Sequence, residues 1–147
     1  MSLFRGLLNY RAALLSLGFT QGYQWIDGSF VEDVETARGR PPNDIDLVTL
    51  TVPPATWLTL TLAQVQATVA ARPDIFDSKE AKKVFGCEAF VIDIGQPAHV
   101  VARQLVYWYA LFSHQRTTFM WKGMVEVPIV SDDTAAASYI ATLHFPP

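Results

Sequence analysis

The chain has 147 residues, half of them hydrophobic and 17% charged, which excludes a disordered polymer and suits one domain, 1–147, with a buried core. A net charge of −3 advertises no large basic surface for nucleic acid. Cys87 stands alone, so no internal disulfide forms and a cytoplasmic setting is expected; no apolar run reaches membrane-spanning length, so no membrane partner is expected.

Met1 to Gly18 carries Arg5 and Arg11 inside its apolar pattern and lacks a small-residue cleavage site, so it reads as a packing helix rather than a signal peptide. Phe4, Leu8, Ala12 and Leu15 follow helical spacing, with Leu7 and Leu14 beside them. Tyr23 to Ile26 is a short aromatic and β-branched strand that stops at Asp27-Gly28-Ser29. Gly28 has no Cβ, so the backbone turns sharply there and a ligand approaches closely. Ser29 opens Phe30 to Val34, expected as two helical turns, where a serine caps free N–H groups that also attract anions.

A polar loop ends at Pro41-Pro42-Asn43, and Ile45 to Leu50 reads as a buried strand. Asp44 and Asp46 are two apart at its start, so both project to one face with Cα atoms roughly 7 Å apart. Two carboxylates so placed hold one divalent ion or bridge a pair. Gly28-Ser29 and Asp44-Ile45-Asp46 thus set a phosphate cradle beside a metal-binding pair.

Pro53-Pro54 breaks the chain, and Leu58, Leu62, Val65 and Val69 mark a helix ending before Pro73, although Trp57 to Leu62 also alternates like a strand. Ser78 to Phe85 is expected as a short helix whose Lys79, Glu80, Lys82 and Lys83 face water. Glu88 to Asp93 is a third strand. Gly95-Gln96-Pro97 turns into a long helix with Val101, Leu105, Trp108 and Phe112 on one face, read as core rather than as a base-stacking platform. Gly123 to Ile129 is a fourth strand, and Ser131-Asp132-Asp133 caps a last helix through Leu143. The fold class is α+β, a mixed, mainly antiparallel sheet of about four strands with packed helices.

Other chemistries lack their residues. No Gly-x-Ser-x-Gly elbow and no Walker-type phosphate loop occurs, and His99, His114 and His144 have no zinc-ligand spacing. Cys87 beside an apolar strand reads as buried and inert.

Gly-Ser at the end of one strand and Asp-x-Asp at the start of the next resemble the nucleotidyltransferase superfamily that includes DNA polymerase beta and the CCA-adding enzymes. The chain also resembles a family of short, functionally uncharacterised bacterial nucleotidyltransferase-like proteins. That likeness rests on Asp27-Gly28-Ser29-Phe30, Pro42-Asn43-Asp44-Ile45-Asp46, Tyr107-Trp108-Tyr109 and Trp121-Lys122-Gly123, and covers roughly Tyr23 to Val127. Fourteen residues separate Ser29 from Asp44, more than the superfamily norm, and the excess falls in Thr36 to Arg40, which looks like a loop insertion.

The resemblance implies a nucleotidyltransferase-like fold and a Mg²⁺- or Mn²⁺-dependent transfer of a nucleoside monophosphate from an NTP to an acceptor hydroxyl. The acceptor is RNA, a protein or a small molecule. It also implies a third carboxylate on the next strand. Glu88 and Asp93 compete for that place, and their odd spacing puts them on opposite faces. If the two strands run parallel, Glu88 lies level with the aspartates and Asp93 at the far end, so Glu88 is expected to join Asp44 and Asp46 as metal ligand and catalytic acid–base group. Arg116 and Lys122 read equally as a charged surface hairpin or as contacts to the nucleotide phosphates or the acceptor. The competing function is a binding or regulatory module that kept the fold without turnover, an antitoxin-like partner of another protein or of itself. The brevity of the chain motivates it.

Overall fold

A computed structural model of the chain describes residues 2–115 and 118–142. Helix α1 spans Leu3–Ser16, and the Ser2 side chain caps it by accepting from the Arg5 N–H at 3.4 Å. Its buried face is Leu7, Tyr10, Arg11 and Leu14. The expected stripe is therefore rotated: Phe4, Leu8 and Leu15 are half-buried, and Ala12 is exposed. The larger side chains decide this. The Tyr10 hydroxyl donates to the Ile75 carbonyl at 3.2 Å, and its ring meets Phe85 edge-on. Arg11, only 3% exposed, donates to Asp133, Gln24 and Ser131 and to the carbonyls of Pro128 and Ile129.

Four strands follow: β1 (Gly22–Asp27), β2 (Ile45–Thr51), β3 (Cys87–Asp93) and β4 (Val125–Pro128). They form one sheet in the order β3-β2-β1-β4. β1 pairs antiparallel with β2 and β4, and β2 pairs parallel with β3. The architecture is the α+β class expected, with a mixed, mainly antiparallel sheet. β4 is shorter than expected and ends in Pro128, as suits an edge strand that needs no further ladder donor.

Strand parity divides the core. Ile26, Ile45, Leu47, Cys87 and Ala89 pack on the α1 face with Leu7, Tyr10 and Leu14. Val48, Leu50 and Ile92 pack on the other face beneath Trp108 and Phe112 of helix α6 (Ala98–Phe112). The expected aromatic stripe is thus core at Trp108 and Phe112, whereas Tyr107 and Tyr109 stay exposed. Cys87 is buried, and desolvation pushes its thiol up to about 12.

The connections differ most from expectation. A 3₁₀ turn at Gly28–Val31 and helix α2 at Val34–Arg38 replace the two helical turns over Phe30 to Val34. Asp33 caps α2 through the Thr36 N–H at 3.2 Å, so the apparent insertion is partly helical. The helix expected from Leu58 splits into a 3₁₀ turn, Ala55–Thr59, and α3, Leu62–Ala70, because Thr61 and Gln64 form a reciprocal capping box. Leu58 and Leu62 are solvent-exposed, so that stripe builds no core. Helix α4 (Pro73–Phe76) was not expected, and α5 (Ser78–Phe85) was, with Asp77 as its cap and Gly86 in the left-handed conformation at its end. Helix α7 spans Asp133–Thr142, with Asp132 accepting from the Ala135 N–H at 2.9 Å. Leu143 and His144 lie outside the described residues. No helix among the described residues is long and apolar enough to cross a membrane.

Candidate functional site

Three carboxylates stand in a row across the sheet. The register pairs Asp27 at the end of β1 with Asp46 on β2, and Asp46 with Glu88 on β3. Cross-strand partners share a face, so all three project toward α6 rather than α1. Asp44 immediately precedes β2 on the same side. Ligand oxygens of Asp44, Asp46 and Glu88 lie within 4.8 Å of one another. Because β2 and β3 are parallel, Asp93 pairs instead with Thr51 at the far end. Its carboxylate accepts from the Gly95 N–H at 2.7 Å and closes the turn there.

Gly28 brings the main chain against this row. Its φ is +81°, and a Cβ built there would overlap Asp46 Oδ2 and lie 2.8 Å from Asp46 Cγ. Only glycine satisfies both constraints. Ser29 lies within the 3₁₀ turn that Gly28 begins, so it is not the cap expected of it; Asp27 holds the cap position and makes no side-chain cap bond. Ser29 instead lines the cleft.

Two lysines meet the carboxylates. Lys82, on the last turn of α5, places its ammonium on Asp44 Oδ2 and 3.0 Å from Glu88 Oε2. Hydrogen bonds to Asp44 and then Glu88 hold it above its ordinary pKa. The expectation of a fully solvated α5 surface therefore holds for Lys79 and Lys83, which are exposed, but not for the Lys82 ammonium. Lys122, 11% exposed at its side chain, sits 2.8 Å from Asp27 Oδ2 and 3.0 Å from Glu32 Oε1. Next to it Trp121 bridges antiparallel to His114, just past the end of α6, with the two rings tilted at 41° and 4.2 Å apart. Arg116 lies outside the described residues.

Asp27 is the member that the sequence reading missed as a site residue. It is 3% exposed, and its Oδ1 has no hydrogen-bond partner among the described residues. Burial raises its pKa above the ordinary carboxylate value, against the opposing effects of Lys122 and the Gly28 N–H. The available signal was position: an acid closing β1, when β1 turns antiparallel to β2, falls opposite an acid opening β2.

The resulting cleft encloses about 280 Å³. Asp27, Glu32, Asp44, Asp46 and Glu88 line it together with Arg38, Arg40, Lys82 and Lys122, so acids and bases nearly balance. Oxygen donors in this number and spacing suit a hard divalent cation, and the arginines at the rim suit an anion beside it.

No curated protein and no solved structure matches the chain. The model of a family of unknown function, DUF6932, matches residues 1–128, and the chain belongs to that family.

Proposed function

We propose that the chain is a metal-dependent nucleotidyltransferase that moves a nucleoside monophosphate from an NTP to an acceptor hydroxyl of RNA, a protein or a small molecule. The observation that carries this reading is the trio Asp44, Asp46 and Glu88, with ligand oxygens within 4.8 Å of one another and the Gly28 backbone packed against Asp46. The trio fits Mg²⁺ or Mn²⁺ by its donor chemistry, three carboxylates and no sulfur or imidazole. Bound ions supply charge neutralisation for the triphosphate and alignment of the attacking and leaving oxygens.

The chain's own residues do the rest. Asp44 and Asp46 would hold the ion. Glu88 orients the acceptor hydroxyl and takes its proton as the oxygen–phosphorus bond forms and pyrophosphate leaves. Gly28 and Ser29, which line the same cleft next to Asp46, face the phosphates, and Lys122 offsets the Asp27 and Glu32 charges beside them. Each labelled NTP, supplied with Mn²⁺ and cell lysate, tests the reading: label transfer is expected with at least one and is lost in Asp46→Asn. Transfer that survives in Asp46→Asn refutes it.

One observation favours a second reading, a module without turnover that acts as an antitoxin-like partner. Asp44 and Glu88 share the Lys82 ammonium, so part of the acid cluster is balanced with no ion present. Under that reading none of the four nucleotides labels anything, even at saturating Mn²⁺.

A further inference from the structure

Lys82 and Lys122 enter the same cleft under opposite constraints. Lys122 is nearly buried between Asp27 and Glu32. Lys82 is 46% exposed at its side chain, and its flexible four-carbon stem can swing away without disturbing the core. Its Cα, in contrast, is fixed. Ala81 beside it is buried, Gly86 closes α5, and the Gly86 carbonyl accepts the Ile45 N–H at 3.0 Å, which ties the end of α5 to the start of β2 next to Asp44. The ammonium therefore rests on two of the three carboxylates that would ligate a metal.

We propose that Lys82 is a resident counter-cation of the carboxylate cluster, which a divalent ion must displace to bind, and that the released ammonium then becomes a contact for a ligand phosphate in the same cleft. The inference rests on the metal reading given above and adds the order in which the site fills. Without a cation the row would set several carboxylates side by side at a steep electrostatic cost, which Lys82 reduces. A divalent ion makes bonds of about 2.0–2.2 Å to carboxylate oxygens, on the same two carboxylates that now hold the ammonium. The two positive charges repel where they share Asp44 and Glu88, so binding of the divalent ion favours release of the ammonium. The cleft is also prepared for a ligand in a second respect: the Oδ1 of Asp27, almost wholly buried in its wall, has no hydrogen-bond partner among the described residues. Once displaced, Lys82 remains tethered in the cleft that Ser29, Arg38 and Arg40 also line. Metal binding thereby turns a balanced cleft into one with a spare positive charge for an anion.

Mn²⁺ binding to the purified chain, followed by electron paramagnetic resonance without nucleotide, tests the exchange. Lys82→Met is expected to bind Mn²⁺ roughly tenfold more tightly than wild type, within the usual range of coupling between two binding events. Lys82→Gln should do the same, which guards against a folding defect in one variant. Lys82→Arg keeps the charge and should remain as weak as wild type, and Lys79→Met, which removes a charge from the same helix outside the cleft, should change nothing. Equal or weaker Mn²⁺ binding in both neutral variants overturns the exchange. The metal reading is judged separately by adding Asp46→Asn to Lys82→Met: lost affinity supports the trio as the site, and unchanged affinity places the ion elsewhere and overturns both.

Discussion

Substituting alanine for Gly28 tests how closely the main chain and the carboxylate row depend on each other. The φ of +81° lies where alanine costs roughly 1–2 kcal/mol relative to glycine. A second cost is steric, because the new Cβ would overlap Asp46 Oδ2 and sit 2.8 Å from its Cγ and 3.2 Å from its Cβ. The neighbours of Asp46 on β2, Ile45 and Leu47, are fully buried, so the strand cannot retreat and the carboxylate must rotate out of the row. Such overpacking adds about 1–3 kcal/mol, for a total of about 2–5 kcal/mol. Displacing one ligand carboxylate should also weaken Mn²⁺ binding by about 10–100-fold, the usual effect of disturbing a metal site's supporting contacts. Gly39 provides the control, since its φ is +63° and a Cβ there meets nothing within 4 Å. Gly39→Ala should lose only the backbone cost and keep its Mn²⁺ affinity. Urea denaturation measures the first quantity and Mn²⁺ titration the second. If the two alanine variants were equally destabilised, or if Gly28→Ala bound Mn²⁺ like wild type, the reasoning would be refuted.

Two further outcomes follow from buried charges. The Asp27 pKa is raised from 3.8, chiefly by burial, so the folded chain keeps that proton to higher pH than the unfolded chain. Its contribution to stability is therefore lost as pH rises through and above 3.8. Asp27→Asn should gain stability relative to wild type between pH 4 and pH 7 in urea titrations, and a gap that is constant or moves the other way contradicts the burial argument. Arg11→Met removes a guanidinium with five hydrogen-bonded partners, strands the buried Gln24 Oε1 and takes the ion-pair partner from Asp133. It should destabilise by about 3–5 kcal/mol in the same assay, and a loss no larger than that of a surface arginine such as Arg40→Met would contradict the clasp.

Local chemistry marked much of this fold in advance. Gly86, Pro97 and the acids before α5 and α7 punctuate the helices, and β-branched runs mark the strands. The choice between Glu88 and Asp93 combined the resemblance with local pattern: the resemblance implied a parallel pairing, and two strands that each open on an acid place those acids level when they pair that way. What stayed hidden depends on non-local geometry. Lys122 and Glu32 are 90 positions apart, and nothing near either predicts that a hairpin folds one over the other. Lys82 looked solvated because its helix neighbours are; its role depends on where the end of α5 is pinned, which is a tertiary fact. The buried face of α1 was misjudged for a related reason. An arginine scores as a surface residue in any periodicity, yet here its five partners come from β1, β4 and the chain beyond.

That last arrangement bears on where the folding unit ends. The family model stops at residue 128, at the end of β4. Of the groups that satisfy Arg11, the Ile129 carbonyl, Ser131 and Asp133 all lie past that point. A chain cut at residue 128 would keep the cleft and every carboxylate in it, yet would strand a buried guanidinium with Gln24 and the Pro128 carbonyl alone. A boundary drawn where the family match ends therefore separates Arg11 from three of the five groups that hold it.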